Sequence, residues 1–593
     1  MRAVAIAMVV ASSLIAGAQP ARDEERVDGQ WTMPSKDYAA TRYSRLSSIT
    51  ARNVGQLHPV WSFSTGVLGG HEGQPLVVNN TMYVVTPFPN VLYAFDLTQE
   101  GYPLKWKYRP DVNPAAVGIA CCDAINRGAF YADGKIVYNL LDGHTVAIDA
   151  ASGKEIWKTQ IADLSQGETT PMAPFIVGDR VFVGPSGGEF GIHGWLKALD
   201  LATGRIVWTA FNEGPDSEVL ARPGTFKPFY EGGEGRGGRT DLALTSWPAD
   251  AWKRAGVPVW GWLSYDPALD LLYFGTGNAA PYNPEQRPGD NKWASSVLAR
   301  RPKDGTLVWA YQFTPHESWD FDANAEMILV DLTIRGRRRH VLVHFDKNGF
   351  AYTIDRASGE VLVAEPFTSV TWATRVDRAT GRPVIDSTKL TGASRGNIRY
   401  ICPSLEGGKS PASPASYSPR TGLFYVSTVN LCMNYEAARV THIRGTPFIG
   451  ANTPYQLGPG GYLGSFIAWD AVTGRKVWAV PEPYPVWSGS VATAGDVVFY
   501  GTLDGWFKAA DARSGTVLWK FKVGSGVVGA PITYTGPDGK QYVAVYAGIG
   551  GDWFLLSGDV RSDDPADVRP PADFAPDLAR HTSQGGIVWV FAR

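Results

Sequence analysis

The chain has 593 residues and a formal net charge of −2, with acidic and basic side chains spread along it, a balance that leaves no basic stripe for nucleic acid. Length alone suggests about four domains, but internal repeats overrule that prior. No Cys-x-x-Cys-His occurs, which excludes a c-type haem carried by the chain itself.

Taken in order, Met1-Arg2-Ala3 leads into an apolar run from Val4 to Ile15 and the small residues Ala16-Gly17-Ala18. This reads as a secretory signal peptide over residues 1–18, with 19–593 as a single domain exported to the periplasm. The run is too short for a membrane span, and no second candidate follows. Four cysteines in an exported chain are read first as disulfides. Cys402 and Cys432 can pair in the ordinary way. Cys121 and Cys122 are neighbours, at most about 3.8 Å apart at Cα, where disulfides prefer about 4.4–6.8 Å. A bond between them is a strained small ring; two unlinked thiols, or bonds to the distant pair, stay equally open.

One pattern then keeps returning: an apolar strand, Ala-x-Asp, a Thr/Ser-Gly turn and a Trp three or four residues on. It runs Ala147-Ile148-Asp149, Ser152-Gly153, Trp157, and again Ala198-Leu199-Asp200, Thr203-Gly204, Trp208. Later copies are Ala468-Trp469-Asp470 with Trp478 and Ala509-Ala510-Asp511 with Trp519; weaker ones start at Ala94 (ending at Trp106), Ala299 (ending at Trp309) and Tyr352. Each predicts a hairpin whose Trp packs on a neighbour. Undisturbed copies lie 41 to 53 residues apart, the period of a propeller blade. Trp61 and the terminal Ile587-Val588-Trp589-Val590 strand supply one more unit, closing the ring with both chain ends. The prediction is an all-β, eight-bladed β-propeller of four-stranded antiparallel blades with tryptophan-docking repeats, seven blades being the fallback. The repeat tryptophans read as packing residues without chemistry.

The spacing breaks twice. The gap between the Trp208 and Trp309 copies leaves room for a further blade with a decayed signature. It also holds a Gly-rich excursion, whose Gly233-x-Gly235-x-x-Gly238 lacks the strand and helix of a dinucleotide site. The gap from Tyr352 to Ala468 is expected to hold another blade and a Pro/Gly-rich segment at 446–464; long loops of this kind are usually lids or binding loops. The basic run Arg335 to Arg339 reads as a solvated hairpin tip.

Chemistry gathers around Trp319-Asp320-Phe321-Asp322. In an extended segment side chains alternate, so Asp320 and Asp322 face one way roughly 6–7 Å apart. Two such carboxylates repel unless a proton, a base or a cation intervenes, and hard cations select oxygen ligands. Further groups break the blade pattern: His71-Glu72-Gly73, the Cys pair with Asp123 and Arg127, Ser186-Gly187-Gly188-Glu189, Trp260-Gly261-Trp262, Gly275-Thr276-Gly277-Asn278, Asp346-Lys347-Asn348-Gly349 and Asn430-Leu431-Cys432. Propeller loops at one end of the channel are where such groups meet.

In order and spacing these motifs resemble the quinoprotein alcohol dehydrogenases, eight-bladed enzymes that use pyrroloquinoline quinone (PQQ), and especially their lanthanide-dependent methanol/alcohol dehydrogenase branch. The resemblance runs from Trp31 to the end. It is carried most specifically by Cys121-Cys122-Asp123 with Arg127, by Ser186-Gly187-Gly188-Glu189, by Gly275-Thr276-Gly277-Asn278 and by Pro315-His316-Glu317-Ser318-Trp319-Asp320. It implies oxidation of an alcohol to an aldehyde or ketone by hydride transfer to metal-bound PQQ. A Cys121–Cys122 ring is implied on one face of the quinone and Trp260 on the other. Arg127 is implied to pair with a quinone carboxylate, with Glu72, Ser186, Gly187 and Gly188 on further edges. Lys347 resembles the cation beside the quinone oxygens, and Asn430, Trp487 and Trp553 the remaining rim contacts. Where relatives carry a Thr two residues before Ala173-Pro174, this chain has Pro171, which cannot donate; Thr169 or Thr170 must replace that contact or it is absent.

The implied metal shell is Glu189, Asn278, Asp320 and Asp322. Calcium enzymes of the family usually have an uncharged residue at the position of Asp322. A third carboxylate is better compensated by a trivalent ion, so a lanthanide is expected, with calcium the alternative. In the implied mechanism Asp320 accepts the alcohol proton and Lys347 stabilises charge on the quinone oxygen. Electrons then leave to a periplasmic cytochrome c. No surface pattern decides for or against a homodimer, and the particular alcohol is not legible. A non-catalytic propeller that binds partners or aids assembly explains the blades and the export signal, but not the adjacent cysteines or the oxygen-donor set. A glycoside hydrolase built on the carboxylate pair lacks a sugar-binding signature of its own.

Overall fold

Each Ala-x-Asp repeat folds as the third and fourth strands of an antiparallel sheet, and its marker residues have separate tasks. Ala147 sits directly opposite Trp157, as Ala94 does Trp106, Ala198 Trp208, Ala299 Trp309, Ala468 Trp478 and Ala509 Trp519. So small a partner leaves the indole room to lean on the next sheet. The Asp caps the turn: Asp149 Oδ1 accepts the Ser152 N–H at 2.8 Å and its hydroxyl at 2.6 Å, and Asp200 does the same with Thr203. The Gly holds a positive φ and lies under the previous blade's Trp; a Cβ on Gly204 would come within 2.6 Å of the Trp157 ring. Trp157 Nε1 then donates to Leu201 O at 3.0 Å, and Trp106 Nε1 to Ala150 O at 3.2 Å, stitching blade to blade. The Tyr352 copy differs: Val363, opposite Thr353, stands where the Trp is expected, and Gly474 of the following repeat is covered by Val363 and Glu365.

The computed structural model describes residues 28–232, 239–551, 575 and 577–593, so the expected signal peptide, the Gly233-x-Gly235-x-x-Gly238 stretch and Trp553 lie outside the described residues. Among the described residues, eight sheets share the four-strand pattern. Seven of them begin at Leu76–Val78, Ala129–Ala132, Phe175–Val177, Leu263–Asp266, Ile328–Ile334, Ser416–Ser418 and Val491–Thr493. In the eighth, Ile532–Thr535, Gln541–Ala547 and Ile587–Ala592 are completed by His58–Ser64, with Phe63 opposite Val588. The two chain ends close the ring and remove its open edge.

Neither spacing gap holds the extra blade expected of it. The described part of 212–262 contains no strand, only the short helical turns Asp216–Val219, Leu242–Thr245 and Ala251–Arg254, because this stretch lacks the alternating apolar run that a blade strand needs. The later gap holds a hairpin, Ala373–Asp377 with Arg382–Ile385, and a small sheet in which Asn397–Ile401, Ala451–Asn452 and Tyr455–Leu457 all pair with Leu431–Ala437. The Cys402–Cys432 disulfide fastens that sheet. Arg335 and Gly336 form the predicted hairpin tip between Ile328–Ile334 and Arg337–Phe345.

Before the first blade, the main chain crosses one end of the channel. Gly29 O accepts from Thr535 N, Thr32 O from Tyr131 N, Tyr38 O from Tyr265 N, Ala39 O from Leu329 N, Thr41 O from Tyr417 N and Arg42 O from Ala492 N. The arm therefore bonds to the first strands of six sheets and stops that end of the ring.

Candidate active site

The residues singled out from sequence lie on two kinds of connection. Cys121 to Arg127, Trp260 and Asp320 to Asp322 lead into first strands; Ser186 to Glu189, Asn278 and Lys347 follow second strands. In an antiparallel sheet both connections emerge at the same end, here the one opposite the N-terminal arm. There they surround a cavity of about 280 Å³ lined by Cys121, Cys122, Arg127, Ser186, Glu189, Trp260, Asp320, Asp322 and Lys347 among the expected residues.

Lys347 Nζ donates to Asp320 Oδ2 and to Asp322 Oδ2, both at 2.9 Å. Asp322 Oδ1 accepts the main-chain N–H of Asn278 at 2.7 Å. The segment is not the extended strand that alternation assumed: Asp320 has a φ of +66° and lies in a loop. The carboxylates converge because one ammonium bridges them. Burial pushes the Asp320 carboxyl well above the usual range; Lys347 opposes this, and Asp322, Glu189 and Glu317 add to it. Burial by itself depresses the Lys347 ammonium, but Asp320 and Asp322 outweigh it and raise its pKa well above the ordinary value.

Glu72 and Arg127 form a buried ion pair at 3.0 Å, and the Arg127 guanidinium lies 4.7 Å from the centre of the Trp260 ring. Gly187, with φ of +125°, and Gly188 form the turn behind Ser186; a Cβ on Gly188 would meet Asn278 Oδ1 at 2.3 Å. The sulfurs of Cys121 and Cys122 lie 2.8 Å apart, side by side at the cavity wall but beyond the roughly 2.05 Å of a disulfide. Pro171 lines the cavity, whereas the Thr170 hydroxyl donates to Leu140 O at 2.6 Å and Thr169 pairs through its main chain with Ser186, so neither threonine reaches the wall.

Asn430 and Trp487 do not reach it either. The Asn430 amide donates to Pro459 O and Tyr462 O, both at 2.8 Å, holding the neighbouring loop, and Trp487 is wholly buried among Val429, Leu463 and Ile549. In their place the walls include Tyr282 and Glu406, which sequence reasoning missed, and Ile449, Ala451, Thr453 and Tyr455, which come from the 446–464 segment expected to be a lid or binding loop. Tyr455 donates to Glu406 Oε1 at 2.7 Å. One signal was available for Glu406: it precedes Gly407-Gly408, and a Cβ on Gly407 would meet Lys347 Cγ at 2.1 Å. The roof segment is placed by main-chain bonds from Tyr282 N to Ile449 O at 2.7 Å and from Phe448 N to Glu189 O at 2.5 Å.

The donor set fits a hard cation. Asn278 Oδ1 and Asp320 Oδ1 are buried without a hydrogen-bond partner, an arrangement that is costly unless something else engages the oxygens. Glu189, Asp322 and Asp320 supply carboxylates of the type such ions prefer. Among the described residues no three His, Cys, Asp or Glu side chains close on a point alone, so the Asn278 amide and a ligand's own oxygens are needed to complete a shell. A larger cavity of about 780 Å³ lies beside the N-terminal arm, but its charged groups are already engaged: Lys36 donates to Asp28 O and Gln30 O, and Asp37 accepts from Thr41.

Residues 31–370 and 480–543 match the family model for "PQQ: Glucose/ethanol/alcohol dehydrogenase, beta-propeller domain". The chain belongs to this PQQ dehydrogenase family. Among its PQQ relatives, the lanthanide-dependent methanol dehydrogenase of Methylacidiphilum fumariolicum is 50% identical over 577 residues, covering 96% of this chain and 93% of the relative. The lanthanide-dependent methanol dehydrogenase of Methylorubrum extorquens is 46% identical, covering 99% of each. A solved structure described as a europium-containing methanol dehydrogenase superposes with a TM-score of 0.91 at 49% identity, covering 96% of this chain and 99% of its own. The likeness extends over the whole propeller. Among the described residues, no helix is long and apolar enough to cross a membrane.

Proposed function

We propose that the 280 Å³ cavity is the alcohol-oxidising site of a periplasmic quinoprotein. The chain is a PQQ-dependent alcohol dehydrogenase by family. PQQ lies in this reading between the Cys121–Cys122 pair and Trp260, and a lanthanide ion is held by Glu189, Asn278, Asp320 and Asp322. The single observation that carries it is the buried carboxylate pair bridged by Lys347, with Asp320 Oδ1 unengaged. When bound, the quinone and the ion supply the hydride acceptor and the Lewis acid.

The chain's own residues do the rest. Asp320 presents an oxygen that can take the alcohol hydroxyl proton, and burial favours its protonated form once it has done so. Lys347 brings a fixed positive charge to the same edge of the cavity. Arg127, held by Glu72 and laid over Trp260, offers a planar fork to a carboxylate. Leu405, Ile449 and Ala451 exclude water from the wall. Three carboxylates around one ion favour a trivalent charge, in line with the relatives named as lanthanide-dependent methanol dehydrogenases. Their names also support methanol or another small primary alcohol as substrate. A cytochrome c acceptor is supported by two relatives named "Methanol dehydrogenase [cytochrome c] subunit 1", that of Methylobacterium organophilum, 41% identical over 580 residues, and that of Methylorubrum extorquens, 41% identical over 581.

The test is dye-linked alcohol oxidation after reconstitution with PQQ and lanthanum, cerium or calcium. Turnover with a lanthanide, abolished in Asp320→Asn with every ion, is the expected result; no turnover with any ion overturns the reading.

A further inference from the structure

Asp320 holds a left-handed φ of +66°, which a non-glycine residue keeps only where its surroundings over-determine it. The residue that does so is Glu317, fully buried three positions upstream. Glu317 Oε1 accepts the main-chain N–H of Trp319 at 2.5 Å and that of Phe321 at 2.9 Å, the two neighbours of Asp320. One oxygen bonded on both sides of Asp320 closes the chain around it and fixes where its carboxylate points. Trp319 and Phe321 are themselves packed on Trp372, with ring centroids 5.0 and 5.6 Å away.

A second buried group connects this loop to the next. Arg287 donates to Glu317 O at 2.5 Å, to Pro281 O at 2.7 Å and to Asn291 Oδ1 at 2.8 Å. Pro281 belongs to the segment that continues from Asn278. Arg287 thus ties the loop carrying Asn278 to the loop carrying Asp320 and Asp322, and it balances the Glu317 carboxylate, whose Oε2 is buried without a hydrogen bond. Neither Glu317 nor Arg287 lines the cavity.

We infer that Glu317 and Arg287 are positioning residues that set the spacing between Asp320 and Asn278, and through it the affinity and size selectivity of the cation site. The inference rests on the metal-site reading above. Groups that orient metal ligands from behind typically carry about 10–100-fold in metal affinity.

Europium titration of the full-length, PQQ-loaded protein, followed by metal luminescence, tests it without reference to turnover. Glu317→Ala is expected to raise the Eu³⁺ Kd by about 10–100-fold, while Glu317→Gln, which keeps an amide oxygen for both N–H groups, stays within about 3-fold. Competition with La³⁺ and Lu³⁺ is expected to show weaker discrimination by ion size in Glu317→Ala than in the parent. Asp322→Ala separates the two claims. If it leaves Eu³⁺ affinity unchanged, the metal-site reading fails; if it weakens binding and Glu317→Ala does not, the positioning role fails. Should Glu317→Ala not fold, Glu317→Asp decides, because it withdraws the acceptor by one methylene and keeps the charge: parental affinity in that variant overturns the inference.

Discussion

The main-chain N–H of Asn278 donates to Asp322 Oδ1 at 2.7 Å, so one carboxylate both charges the site and joins two of its loops. Those two tasks separate by substitution. Asp322→Asn keeps an oxygen for the hydrogen bond and removes the charge, and is expected to lose lanthanum- and cerium-dependent turnover while leaving calcium-dependent turnover within about 10-fold of the parent. Dye-linked rates after reconstitution with each ion measure this. A variant equally active with all three would show that Asp322 does not set the ion's charge.

His71 gives the fold a pH dependence. It is buried, its ring nitrogens lie 3.1 Å from Thr65 Oγ1 and 2.9 Å from Gly69 O, and burial lowers its pKa from 6.5 to about 4. The unfolded chain takes up this proton near pH 6.5, and the folded chain resists it until about pH 4. The stability is therefore full above 6.5 and declines as the pH falls between those values. The shift corresponds to on the order of 3 kcal/mol. Melting curves from pH 7 to 4 should show the midpoint dropping, and His71→Gln should flatten part of that drop; an identical slope in the variant would remove His71 as a cause.

Trp157 and Gly204 are coupled through direct contact across two blades. Trp157→Ala is expected to cost about 3–5 kcal/mol in denaturant unfolding. Gly204→Ala adds a methyl group against the ring at a positive φ and is also destabilising. Without the indole the methyl has room, so the double variant should lose less than the sum of the two single losses. Additive losses would mean that the ring does not crowd this turn.

Much of the propeller was legible because its rules are local. Ala147 opposite Trp157, Asp149 capping its own turn and Gly153 beneath a ring each involve residues a few positions apart or one repeat apart, so the sequence displays them as a period. The gaps misled for the same reason: length between copies carries no sign of whether an insertion is a blade or, as between 373 and 457, a hairpin and a loop-borne sheet. At the site, Cys121, Arg127, Glu189, Asp320, Asp322 and Lys347 stood out as polar interruptions of the blade pattern, and the fold brings them to one cavity. Asn430 stood out equally and turned out to hold a loop.

By itself, the sequence determined the repeat, the closure of the ring by the two chain ends and the chemistry available on its loops, since these depend on side-chain type and short spacings. Only the tertiary structure decided which groups meet. Asp320 and Asp322 meet because Lys347 bridges them in a loop whose N–H groups Glu317 accepts, not because a strand alternates, and Glu406, Tyr282 and Tyr455 join them from other connections. Convergence depends on how separate blades are held around one axis, a long-range property to which no local pattern is bound.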